Sequence, residues 1–220
     1  MSVGSEGTRA LDEAWAAFAA SDWERARELF EEALGREPSA EVLDGLGQTM
    51  LWLGEEVAAV EWRTKAFGEY RRRGDAEAAA TIAVYLAAEY RIAGNASLAD
   101  GWLGRATRLL EGCGDCPGRG WLHLERTKRA VAPEIAAAES QAALDLAHRI
   151  GDAGIEGAAL SHLGLARIAL GDIEAGMDLL NEAMAIATGG EPEDPLAICD
   201  ACCTTLIACD RLADPQRALD

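Results

Sequence analysis

Apolar residues recur along this chain at three- and four-residue spacing, and glycines punctuate the pattern. Leu43, Leu46 and Met50 fall on one helical face, with Gly47 beside Leu46 and Gly54 closing the run. Leu160, Leu163 and Arg167 repeat the arrangement, with Gly164 and Gly171 in the matching places. This period predicts helices, and the glycines mark turns and close helix contacts between them. Ala, Leu, Glu and Arg dominate while Thr, Tyr and Phe are scarce, which favours helix over sheet.

The two runs align without adjustment, and each continues into a second helix marked by small residues. Ala59 and Ala66 follow the first run; Gly176, Leu180 and Ala183 follow the second. A large residue followed by Leu-Gly puts a knob and a hole on one helix face. The small residue then lets the second helix approach closely, and the later glycine makes the turn.

This pattern resembles the tetratricopeptide repeat, and the match extends along nearly the whole chain. Asp22-Trp23, Ala26, Phe30, Ala33 and Pro38 fill the second half of a first repeat, and Leu86, Ala87, Tyr90, Gly94, Ala99, Leu103 and Ala106 mark a third. The fourth is degenerate, with Val131 at the turn glycine and Pro133 opening its second helix. The resemblance implies an all-α fold, an α-solenoid of about five and a half tetratricopeptide-like helix-turn-helix repeats over residues 10–220, after a flexible, polar stretch 1–9. Approximate repeats are 7–38, 40–75, 80–114, 117–151 and 157–190, with an incomplete one at 196–220 that turns at Ala213-Asp214-Pro215. An incomplete repeat leaves an apolar face uncovered. The expectation is therefore an N-terminal piece of something longer, with self-association through that repeat.

Charge narrows the partners. The 38 carboxylates against 20 Lys and Arg give a formal charge of −18, and Lys65 and Lys128 are the only lysines. Nucleic-acid affinity rests on cations neutralising phosphates, so no nucleic acid is expected to bind through this segment. The start has no basic stretch leading into an apolar one, and residues 78–88, bracketed by Glu77 and Glu89, are too few to span a bilayer. The chain reads as cytoplasmic, without membrane contact, and its six cysteines as thiols.

Candidate chemistry is sparse. Cys113-x-x-Cys116 and Cys199-x-x-Cys202 have the form of zinc-ligand pairs. The second pair, however, lies in a helical run of small residues through Cys209, where thiols pack as small hydrophobes. Cys113 and Cys116 stay as a candidate metal or redox loop. There is no phosphate-binding loop, His-Glu-x-x-His or Gly-x-Ser-x-Gly, and His123, His148 and His162 belong to separate helices. The chain reads as a non-enzyme with no cofactor.

The tryptophans are the most suggestive residues. Trp62 and Trp102 share a position on second helices and read as structural. In tetratricopeptide proteins the concave surface is lined by certain first-helix positions. The resemblance places Trp15, Gln48, Trp52, Trp121, Glu125, Lys128 and Ser161 there, with Tyr85 and His162 at the edge. Aromatic anchors with a few polar groups suit a ligand or peptide groove. The alternative is that these rings pack between adjacent first helices.

Residues 59–70, 120–126 and 171–184 look like the helical-repeat region of large actinobacterial LuxR-type regulators. That resemblance implies a sensor domain whose DNA-binding domain lies outside this chain, with a protein or small-molecule ligand in the groove shifting the solenoid between two curvatures. The alternative is a stand-alone adaptor that holds a partner peptide in its groove.

Overall fold

Short polar side chains and prolines set where the helices begin. Ser39, Asp75, Asn95, Asp152 and Asp194 each accept a backbone N–H of the helix they precede, while Pro117, Pro133 and Pro195 stand in first turns, where the missing N–H costs nothing. The computed structural model describes residues 3–36, 38–192 and 194–212, with side chains from residue 9 onward. Among the described residues there are eleven helices and no strands.

The chain divides into two compact units, Met1–Gly114 and Asp115–Asp220. The first holds α1 (Val3–Ala19), α2 (Trp23–Arg36), α3 (Ala40–Trp52), α4 (Glu56–Arg73), α5 (Ala76–Ile92) and α6 (Ala96–Leu110). The second holds α7 (Pro117–Lys128), α8 (Pro133–Ile150), α9 (Ala153–Ala169), α10 (Ile173–Gly189) and α11 (Pro195–Arg211). Each odd-numbered helix up to α9 packs on the even-numbered helix after it. First helices also meet across repeats, α1 on α3, α7 on α9 and α9 on α11. This is the helical-hairpin packing of the α-solenoid class.

Turns follow the glycine pattern, with two exceptions. Gly54, Gly94 and Gly171 adopt positive φ inside the hairpins, and Gly74, Gly151 and Gly190 do so after second helices. The first repeat has Ser21 in the corresponding place, at φ 59°. In the fourth, Arg129–Ala132 make the turn without glycine; Val131 is almost fully exposed there, and α8 opens on Pro133 as the sequence predicts.

The glycines of the repeat pattern sit where helices come closest. A β-carbon on Gly164 would lie 2.7 Å from the carbonyl oxygen of Gly176, and one on Gly176 would lie 2.7 Å from that of Gly164. One sequence reading changes. Residues 3–9, read as a flexible lead-in, are already helical as the start of α1. The turn and second helix expected over 213–220 lie outside the described residues.

Candidate functional site

The positions assigned to a groove divide into rings and polar groups, and the two behave differently. In the first unit the rings form one packed aromatic cluster. Trp15 meets Phe18 and Phe30 edge-on at 5.5 and 5.0 Å, and Phe18 meets Trp23 at 5.0 Å. Trp23 then stacks on Trp52 at 5.1 Å with only 10° between the planes. Both Trp15 and Trp52 are half-buried against the core of Phe18, Phe30, Leu46 and Met50. The rings thus pack against the second helix α2, not between first helices.

The polar residues of the first unit gather around a buried arginine. Arg63 projects from α4, ion-pairs with Glu89 of α5, and lies 4.9 Å from the centre of the Tyr85 ring. Gln48 donates to Asp44 at 3.1 Å on α3. Burial pushes the Glu89 carboxyl above its ordinary value, and the Arg63 charge offsets only part of that. Arg63 Nε and Glu89 Oε2 are buried without hydrogen-bond partners, so the pair is under-satisfied.

In the second unit three candidates leave the surface. Trp121 is 8% exposed, Glu125 is 2% exposed and Ser161 is fully buried, with its hydroxyl donating to the Ala158 carbonyl at 2.8 Å. They lie inside the helix stack, in which α7 and α9 pack against each other. The expectation that they point into an open groove is corrected accordingly.

Lys128 and His162 are brought together through a third residue. Lys128 Nζ lies 2.9 Å from Asp200 Oδ1, and His162 Nε2 lies 3.1 Å from Asp200 Oδ2. One carboxylate on α11 thus ties α7 to α9. Burial alone would raise the Asp200 carboxyl; contact with His162 and the Lys128 charge outweigh it and hold the group well below the usual carboxylate range. Asp200 escaped sequence reading because its partners lie 38 and more residues away. Its one local signal is a carboxylate inside the run of small residues from Ala197 to Cys202.

This network borders a cleft of about 380 Å³, lined by Lys128, Val131, Pro133, His162, Leu165, Ala166, Ile207 and Arg211 among others. Its walls are largely aliphatic, and three nitrogen-bearing side chains stand at its edge. The degenerate fourth-repeat turn supplies Val131 and Pro133 to it. The remaining histidines form separate carboxylate contacts, His123 with Glu139 at 2.6 Å and His148 with Glu156 at 3.2 Å.

The cysteines of the candidate loop are apart in character. The Cys113 thiol donates to the Leu109 carbonyl at 3.4 Å, while Cys116 is buried just before α7. On α11 the expected packing holds only for Cys209. Cys203 is exposed, and Cys199 and Cys202 are half-buried.

No known protein-family profile matches the chain, and no curated protein matches it in sequence. Solved structures do match in fold. The tetratricopeptide protein TTC0263 of Thermus thermophilus superposes with a TM-score of 0.62 at 21% identity, over 91% of this chain and 99% of that one. The APC/C hetero-tetramer Cut9-Hcn1 gives 0.70 at 17% identity, over 96% of this chain and 38% of the other. A signal-transduction ATPase of Pyrococcus horikoshii with a tetratricopeptide-repeat sensor gives 0.63 at 17%, over 89% and 33%. The chain thus has an all-α fold of tetratricopeptide-like repeats. Among its described residues no helix is long and apolar enough to cross a membrane.

Proposed function

We propose that this chain is a non-enzymatic binding and regulatory module, and that its second unit carries the ligand site. The observation that carries this reading is the cleft beside the Lys128–Asp200–His162 network. An aliphatic pocket with a few convergent, prepositioned polar groups suits binding and orienting a ligand. Because the network joins α7, α9 and α11, an occupant that competes for Lys128 or His162 changes the contacts among three helices at once. That is how a binding event becomes a shift between helix arrangements.

The regulator reading follows from the resemblance of residues 59–70, 120–126 and 171–184 to the repeat region of LuxR-type regulators. In it the chain is a cytoplasmic sensor segment, and a DNA-binding domain lies outside these residues. The similarity to an ATPase described as having a tetratricopeptide sensor is compatible with that role. A second reading is a stand-alone adaptor that binds a partner peptide in its groove.

The test is a thermal-shift screen of the chain against small metabolites and peptides, repeated on Lys128→Ala and Ile207→Ser. A ligand that raises Tm in the wild type and in neither variant supports the site. Ligands whose effect survives both substitutions place binding elsewhere and overturn it.

A further inference from the structure

Helix α11 presents thiols where a solenoid helix ordinarily presents polar residues. Its inward faces are filled by Ala197, Ala201, Thr204, Ala208 and Cys209, all buried. Cys199 and Cys203 stand one helical turn apart on a more open face, and their sulfurs lie 3.8 Å from each other. Cysteine is among the most buried residue types, so a contacting pair with one member exposed is not accounted for by packing.

The helix decides what such a pair can do. Residues four apart on a helix hold their β-carbons about 5–6 Å from each other. A disulfide needs them at about 3.5–4.5 Å, so oxidation to a direct S–S bond works against the helix. A single metal ion asks for less. With metal–sulfur bonds of about 2.3 Å, two thiolates on one ion stand roughly 3.8 Å apart at a tetrahedral angle and about 4.6 Å apart when collinear. The 3.8 Å present in the helix is about 0.8 Å short of the collinear distance, a gap that rotation of the two side chains about their Cα–Cβ bonds can open.

Donor number selects the ion. Zinc in protein sites takes four ligands or three with a water. Among the described residues no third His, Cys, Asp or Glu joins these two as a metal-holding group, and neighbouring Asp200 is engaged by Lys128 and His162. Two soft thiolates alone suit a soft monovalent ion of low coordination number, such as Cu(I).

We propose that Cys199 and Cys203 form a two-sulfur site for a soft, thiophilic monovalent ion. Binding replaces two S–H bonds by two metal–sulfur bonds and releases two protons to solvent. No electron is transferred. Affinity therefore rises with pH as the ion displaces those protons.

The experiment is a titration of the full chain, reduced and anaerobic, with Cu(I) against a competing Cu(I) chelator, followed by thiolate-to-metal charge-transfer absorption. One tight equivalent is expected, weakened at least 100-fold in Cys203→Ser and in Cys199→Ser and retained in Cys202→Ser. Cys203 is exposed, so its serine variant keeps the fold; unchanged far-UV circular dichroism checks this. Tight binding that survives Cys203→Ser, a site equally lost in Cys202→Ser, or Zn(II) binding as tight as Cu(I) would each overturn the two-sulfur site.

Discussion

Gly47 stands so close to Arg63 that a β-carbon on the glycine would lie 2.6 Å from Arg63 Cγ. The arginine stem occupies the space a side chain at 47 would take, and its guanidinium reaches Glu89 and Tyr85 on the next helix. One missing side chain thus serves both the α3–α4 contact and the path of a buried charge. Gly47→Ala should cost about 1–3 kcal/mol by overpacking. Gly101→Ala, in the open middle of α6 with nothing within 4 Å, should instead gain about 0.5–1 kcal/mol. Urea denaturation of the two variants checks the contrast.

The Arg63–Glu89 pair is buried on both sides, with side-chain exposures of 3% and 9%. Removing one partner strands the other, so Glu89→Gln should cost about 3–5 kcal/mol. A double variant, Arg63→Met with Glu89→Leu, should lose far less, because it removes both desolvated charges together. A double-mutant cycle in denaturant measures the difference.

Asp200 makes the second unit sensitive to acid. Its folded carboxyl titrates below the unfolded value of about 3.9, so its stabilisation is complete above that pH and is lost as pH falls toward the folded value. Asp200→Asn should cost about 2 kcal/mol at pH 7, the scale of hydrogen bonds to charged groups. The gap between variant and wild type should narrow below about pH 4. A gap that stays constant from pH 7 to pH 3 would remove the network as its source.

Ser21 takes a left-handed backbone in the turn between α1 and α2, where three other repeats use glycine. An L-residue there pays a steric cost that glycine avoids, less glycine's entropy, so Ser21→Gly should stabilise by about 0.5–1 kcal/mol. Thermal unfolding reads this as a raised Tm.

The stack of Trp23 on Trp52 makes the aromatic cluster structural. Trp52→Ala should destabilise by about 3 kcal/mol. It should also leave any ligand that binds the second-unit cleft with unchanged affinity, measured by calorimetry at a temperature where the variant is folded.

The residues that turn or approach closely were readable in the sequence because their reasons are local. Gly54, Gly94 and Gly171 are needed where the chain takes positive φ, and Gly47 and Gly164 where another helix passes. Even the irregular fourth repeat was legible through Pro133, which fixes where a helix can start. The site was less so. The repeat register put Trp121, Glu125 and Ser161 beside Lys128 and His162, yet only the last two line the cleft. A register one residue off on a helix turns a side chain by about a quarter of a circle, enough to move it from surface to core.

By itself, then, the sequence determined the helices, the hairpin turns and the order of the repeats, since period, caps and glycines act over a few neighbouring residues. Only the tertiary structure decided that the tryptophans of the first unit stack with one another, that Arg63 crosses to α5, and that Asp200 joins Lys128 to His162. Those partners lie on different helices, and what pairs them is the side-chain geometry of packed faces, which no local spacing encodes.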